Sequence, residues 1–334
     1  MRFSLRLNND LSVPTYVAVA HAAEAAGFDQ LWISNDLFLR SGPVLVAAAA
    51  HATTRIEVGT GILNPHTIHP AELAMLAATM DELTGGRFNL GLGAGAADFL
   101  EWIGITDPHP VTTMRETIAA IRALLAGTPL PSARGRVWRG AEGAYLRFRA
   151  PRVTPIYLGA LGPNMLRLAG ELADGVLPLL FPPEHYFTVR PLIEEGITRR
   201  PATAGPLDVA ACLWVSLADD PTAARRALAE KVAYYGHALS PLILDRLGVA
   251  REELAPIARA VTAERDLDKA AGMVTERMLR IGVAGPPETL VERLMPLVDA
   301  GVRHLSFGPP LGPDPLRAVE LLGRHVLPRF RHVS

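Results

Sequence analysis

An alternation constrains this chain more than any other feature: short apolar, β-branched runs are followed, about eight times over, by longer helical patterns. Arg2–Leu7 reads as a strand and Pro14–Ala26 as a helix, with Pro14 near the helix start and Gly27 as its stop. Strand Gln30–Ser34 leads to helix Val44–Ala52, Ile56–Ile62 to Pro70–Leu83, and Arg87–Gly93 to Met114–Ala126. A pause over Thr128–Pro151 is rich in Pro, Gly and Arg, and Trp138 and Tyr145–Phe148 are expected there as short hairpin strands. The alternation resumes with strand Pro155–Ala160, helix Asn164–Leu172, and strands Val176–Leu180 and Val209–Leu217. Pro221–Met278 is mostly helical, Glu288–Asp299 is a helix, and strand Val302–Phe307 and helix Pro315–Phe330 close the series.

The strands read as continuous apolar runs, which suits a parallel sheet buried on both faces. Eight βα units in 334 residues predict a TIM (β/α)8 barrel with insertions after the fourth helix and after the seventh strand. A doubly wound sheet is the competing architecture. No low-complexity linker or repeat divides the chain, so residues 1–334 are read as a single domain.

Composition narrows the function classes. Hydrophobic residues make up 49%, too many for a disordered chain. A net charge of -1 offers no excess of cations to displace the counterions of nucleic acid. Cys212 is the only cysteine, which excludes an internal disulfide and a cysteine-based zinc site. The first ten residues contain no signal-peptide core, and the longest apolar run, Pro43–Ala50, is far short of the ~20 residues of a membrane span. A soluble, cytoplasmic protein is expected. Lys231 and Lys269 are the only lysines, a bias attributed here to a GC-rich genome.

In a barrel, chemistry gathers at the C-terminal strand ends. Asp36 follows the second strand, Gly61-Ile62-Leu63-Asn64 the third, Gly91–Ala96 the fourth and Gly159–Asn164 the fifth. Gly91–Ala96 fits the dinucleotide pattern G-x-G-x-x-A, but that pattern belongs to a first βα unit, and Glu116, at about the right offset, falls on a helix. A glycine turn that lets backbone approach a flat cofactor is the better reading. Gly159–Asn164 runs from a strand into a helix whose free N–H groups would attract a phosphate, or forms an ordinary tight turn. Asp36 could act as an acid, a base or a cofactor ligand, or serve as a turn residue. Glu101 and Trp102 follow the glycine turn closely enough to face a pocket. His21 sits among alanines as a structural residue; His66 and His69 flank a loop, and His69-Pro70 could simply start a helix. No metal-site spacing and no G-x-S-x-G elbow is present.

Taken together, these residues resemble the bacterial-luciferase-like superfamily of flavin and deazaflavin enzymes, closest to its F420-dependent methylenetetrahydromethanopterin reductase branch. The resemblance rests on Ala22–Asp29 with Leu31-Trp32, Thr60–Pro65 with His69-Pro70, Leu83–Phe88, Leu90–Gly95, Ala173–Val176, and Ala300–Val302 with Gly308–Pro315, in that order. It implies a barrel that holds a tricyclic ring at its mouth, with a non-prolyl cis peptide at Gly61-Ile62. It also implies a cofactor site built from Asp36, Gly61, Ile62, Asn64, Gly93, Ala94, Gly95, Ala160, Leu161, Gly162, Gly175 and Val176, the phosphate lying by Leu161, Gly162, Gly175 and Val176. Both insertions would frame the substrate entrance. Asp36 and Glu101 are the catalytic candidates. Relatives often carry Asp-His after the second strand and an acid after the G-x-G turn; here Leu37 and Ala96 stand in those places. The implied activity is hydride transfer between coenzyme F420 and a small organic substrate, by a homodimer or higher oligomer. An FMN-dependent monooxygenase and a non-catalytic flavin-binding relative are the alternatives.

Overall fold

The computed structural model describes residues 1–130, 137–141 and 143–332. Nine strands form one sheet: β1 (Arg2–Leu7), β2 (Gln30–Ile33), β3 (Glu57–Thr60), β4 (Phe88–Leu92), β5 (Ile156–Ala160), β6 (Gly175–Pro178), β7 (Asp208–Leu217), β8 (Val283–Gly285) and β9 (His304–Leu311). Every pairing is parallel, and β6–β7, β7–β9 and β9–β1 contacts close the sheet on itself. The eight-strand ring is therefore β1 to β7 with β9: a TIM barrel, and the doubly wound alternative is excluded. β8 escapes sequence reading because three residues show no period. It adds to Val215–Leu217, beyond the irregularity at Trp214/Ser216 where β9 loses register with β7.

Local chemistry sets the helix limits. Ser12 accepts the Thr15 N–H in front of helix Val13–Ala26, and Gly27, at φ 85°, ends it in the left-handed region that disfavours a side chain. The closing helix is not continuous. Pro328 has no N–H to give, and a π turn over Leu322–Val326 separates Pro315–Leu321 from Leu327–Phe330.

The expected hairpin is also absent: Trp138 and Tyr145–Phe148 form no strand. Trp138 instead donates its indole N–H to the Thr117 hydroxyl at 2.9 Å and packs edge-on against His69. Trp138 thus finds its partners on helix Pro110–Leu125 and at His69, outside the barrel, so a strand partner is not needed. Residues 131–136 of the insertion lie outside the described residues.

Phe3, Leu5, Leu31, Ile33, Val58, Phe88 and Leu90 point outward into the helix layer, the main core. The inward positions differ from the apolar reading. At the N-terminal end of the barrel, Asp208 accepts from Tyr157 Oη (2.8 Å) and Arg2 Nη1 (3.0 Å) and pairs with His304 Nδ1 (3.0 Å). Burial alone would raise the Asp208 carboxyl, but His304, Arg2 and Tyr157 bring it below its ordinary range. A polar cleft of about 210 Å³ opens at this end, and its Arg2, Glu57 and Asp208 charges pair with one another. They serve stability. Above them, the rings of Trp32 and Tyr157, 4.7 Å apart, plug the barrel. Gly59 and Gly175 face those rings, where any side chain would overlap them.

Glu24 fastens the turn before β3 by accepting the N–H groups of Thr54, Arg55 and Ile56, at 3.0, 2.5 and 2.9 Å. Desolvation works against its charged form, but these donors win and lower its pKa to about 2. The bonds therefore stabilise the fold fully above the ordinary carboxylate range and are lost as pH falls from about 4.5 towards 2. Glu24→Gln is expected to cost about 1 kcal/mol at pH 7, after allowance for solvent screening, and almost nothing near pH 2; urea unfolding at both pH values measures it. Among the described residues, no helix is long and apolar enough to cross a membrane.

Candidate active site

Between β3 and β4 the ladder is interrupted, and this interruption builds the mouth. Regular pairing ends at Gly59↔Asn89 and returns as a single bridge at Leu63↔Leu92. In the gap the Thr60 hydroxyl donates to Gly91 O (3.1 Å) and accepts Gly91 N–H (3.0 Å), replacing two ladder bonds with side-chain ones. The Gly61-Ile62 peptide is cis, at the position the family resemblance implies. Leu63 then rejoins, donating to Gly91 O at 2.8 Å and accepting from Gly93 N at 3.0 Å.

Ile62 consequently lies across the top of the barrel. A Cβ at Gly93 would stand 2.8 Å from Ile62 Cγ1, and one at Gly159 2.9 Å from Ile62 Cγ2. Ile62 packs on the cluster of Trp32, Tyr157 and Leu177 beneath. The result is an apolar shelf resting on strand ends that only glycine allows. Asn64 holds the following turn, its Oδ1 accepting the N–H groups of His66 (3.1 Å) and Thr67 (3.0 Å). His66 pairs with Asp107 at 3.1 Å, and His69 caps helix Pro70–Thr84. Ala94 is half-buried above Gly93, and Gly95 turns with φ 79°.

Beside the shelf, β5 ends in buried Ala160, followed by exposed Leu161 and half-buried Gly162. Gly162 is the N-cap of helix Pro163–Leu172 and supplies no side-chain cap, so the first-turn N–H groups are free of one. Gly175 and Val176, expected beside this corner, lie lower in the barrel. They begin β6, with Gly175 opposite Tyr157, whereas Ala160 lies opposite Pro178. At ~3.3 Å per residue Gly175 stands about 10 Å and Val176 about 7 Å below Ala160. Gly175 is glycine to make room for the Tyr157 ring, and Val176 is buried core.

Asp36 lies on the opposite rim, and the structure shows how it is fixed. Buried Asn9 accepts the Asp36 N–H and the Ser34 hydroxyl, both at 3.0 Å, and donates to Asp36 O at 3.0 Å. Tyr235, at the end of helix Pro221–Tyr235 in the second insertion, donates its hydroxyl to Asp36 Oδ2 at 2.9 Å. Burial first, then Asp36, raises the Tyr235 phenol far above its ordinary range, so it remains a donor. On the same helix the Lys231 Nζ sits 3.7 Å from the Tyr235 ring centroid and 5.4 Å from that of Trp214. Sequence reading missed Tyr235, Asn9 and Lys231. The scarcity of lysine was the available signal for the last, and it had been set down to genome composition.

Glu101 ends the short helix Ala97–Glu101, exposed beside Trp102 and, among the described residues, without a hydrogen bond to Asp36 or to the shelf. Its neighbours form an aromatic rim instead: Phe99 lies 4.8 Å from Trp102, and Trp102 6.2 Å from Phe38.

The chain matches the family model described as luciferase-like monooxygenase over residues 3–304. It is 32% identical to a 5,10-methylenetetrahydromethanopterin reductase of Archaeoglobus fulgidus, covering 99% of this chain and 100% of the relative. It is 31% identical to an F420-dependent glucose-6-phosphate dehydrogenase of Beutenbergia cavernae, covering 92% and 91%. The solved coenzyme F420-dependent tetrahydromethanopterin reductase of Methanopyrus kandleri superposes with a TM-score of 0.88 at 32% identity, covering 98% of this chain and 99% of that one. With fold and full-length similarity in agreement, the chain belongs to the luciferase-like monooxygenase family.

Proposed function

We propose that this protein is a coenzyme F420-dependent reductase that acts on a small organic substrate. The carrying observation is the Ile62 shelf on Gly93 and Gly159, a flat apolar surface with a helix N-terminus at its edge. These residues fit a tricyclic cofactor. Ile62, Gly61 and Gly93 would lie against the ring, and Leu161, Gly162 and the first turn of Pro163–Leu172 would take its phosphate through backbone N–H groups. That accounts for phosphate binding without a basic surface. When bound in its reduced form, the deazaflavin supplies a hydride.

The chain's own part is to fix geometry. The Trp32–Tyr157 plug and the shelf exclude water from one face, so a substrate reaches the reactive face only from the mouth. Holding donor and acceptor in one orientation is the main demand of hydride transfer. Asp36, fixed by Asn9 and Tyr235, presents a carboxylate on the far rim. The full-length similarity to F420-dependent relatives supports the cofactor.

Titrating the purified protein with F420 and with FMN, each followed by absorbance and fluorescence, tests the proposal. F420 is expected to bind and, once reduced, to be reoxidised by a suitable acceptor. Tight FMN binding with oxygen consumption and no F420 binding would overturn this reading in favour of a monooxygenase.

A further inference from the structure

Lys231 is one of two lysines in the chain, and the two could hardly be placed more differently. Lys269 is exposed and ion-paired with Glu264 at 2.7 Å. Lys231 is only 9% exposed, and among the described residues its Nζ makes no hydrogen bond. Two aromatic faces hold it instead. Tyr235 comes from its own helix and Trp214 from β7, an inward position level with Gly308 on β9. The charged groups around it come from the neighbouring strand ends: Asp10 after β1, Asp36 after β2, and Arg6 within β1. Arg6 spends one guanidinium nitrogen on Leu213 O at 3.0 Å, while its buried Nε has no hydrogen-bond partner among the described residues.

This is an unusual place for an ammonium. Cation–π contact with two rings compensates part of its lost hydration but gives no proton acceptor. Burial, opposed by Asp10 and Asp36 and aided by Arg6, lowers its pKa to about 7. The ammonium thus lies among strand-end charges of the mouth, where Leu37 and Ala96 supply no proton.

We propose that Lys231 is the proton-transferring residue of this active site: its ammonium, held on Tyr235 and Trp214 across the mouth from the Ile62 shelf, protonates the substrate heteroatom bonded to the carbon that receives hydride. An N–H bond of Lys231 breaks and an O–H or N–H bond forms on the substrate. The hydride comes from the reduced deazaflavin, so the inference rests on the function proposed above, and the neutral amine regains its proton from solvent. Substrates of this class carry a carbon bound to nitrogen or oxygen that is reduced by two electrons. Tyr235 and Asp36 act as positioning residues, one as the platform under the ammonium and the other as a nearby counter-charge.

Lysine scarcity makes the test direct. In protein labelled with 13C-lysine and free of cofactor, NMR will show two side-chain signals, with Lys269 assigned by Lys269→Arg. One signal is expected to titrate near pH 7 and to vanish in Lys231→Met, while Lys269 stays charged beyond pH 9. If both lysines stay charged beyond pH 9, the proposal is overturned.

In turnover, Lys231→Met is expected to lower kcat about 100-fold, within the usual range for proton transfer, with KM for F420 changed less than 3-fold. The loss of wild-type activity as pH rises through about 7 should disappear. Lys231→Arg separates the roles, because arginine keeps the charge and the ring contact but cannot release a proton. Full rescue by arginine would make Lys231 structural and sink the proposal. Should F420 not bind at all, the proposed function falls, while the NMR titration still decides whether Lys231 can exchange a proton near neutrality.

Discussion

Replacing Gly91 by alanine is expected to destabilise the fold by about 3 kcal/mol or more. Gly91 sits at the interrupted part of the β3–β4 ladder, bonded through its N–H and C=O to the Thr60 hydroxyl. A Cβ there would overlap the Thr60 backbone oxygen, with the Trp32 ring 3.4 Å away on another side. Neither neighbour can yield cheaply. Thr60 is fixed by its bonds to Gly91, and Trp32 is packed against Tyr157 with its indole N–H on Gln30 at 3.1 Å. Overpacking a core by one methyl usually costs 1–3 kcal/mol, and a clash against backbone falls at or beyond the upper end, about 3 kcal/mol or more. That is a large part of a typical domain's stability of 5–15 kcal/mol. Circular dichroism, urea unfolding and soluble yield measure it; a variant with wild-type stability would refute this account of the ladder gap.

Gly159→Val should do the reverse, sparing the fold and destroying the shelf. Its new Cβ would meet Ile62 Cγ2 at 2.9 Å, a branch methyl of a side chain that is only partly buried, and Leu92 O at 3.5 Å. Ile62 can rotate away towards the mouth, so stability should fall by about 1 kcal/mol, the low end of overpacking costs. The displaced Ile62 and the added methyl groups would then occupy the face proposed for the deazaflavin ring. Loss of about 3 kcal/mol of binding corresponds to roughly a 100-fold weaker Kd for F420. Fluorescence titration of F420 reads this, with Gly205→Ala as the control, since a Cβ there meets nothing within 4 Å. Unchanged F420 affinity in a folded Gly159→Val protein would remove the shelf from the site.

How legible was each part? The barrel was, because parallel strands and helices each write a local period, and because Ser12, Gly27, Asp220 and Asp314 mark helix ends within a few residues of their partners. The turn at Gly162-Pro163 was legible for the same reason, since glycine and proline act on the backbone beside them; the break at Gly61-Ile62 was expected only from the family resemblance. Gly175 shows the limit. A glycine next to a valine at a strand start looks the same in sequence whether it serves a ligand or, as here, the Tyr157 ring 18 residues away in sequence and beside it in space. The hairpin expected at Tyr145–Phe148 failed for a related reason, since a strand needs a partner and pattern alone cannot supply one.

The sequence by itself determined the class of fold, the direction of the strands and where backbone would crowd or turn, all properties set by neighbours along the chain. Only the tertiary structure decided the chemistry of the mouth. Tyr235 meets Asp36 across 199 residues, and Lys231 loses its water only because Trp214 and Tyr235 close over it. A side chain's proton affinity depends on its desolvation and on the charges within a few ångströms, and both are fixed by packing between distant segments. One lysine among many arginines was therefore visible from the start, but its meaning came only with the closed barrel.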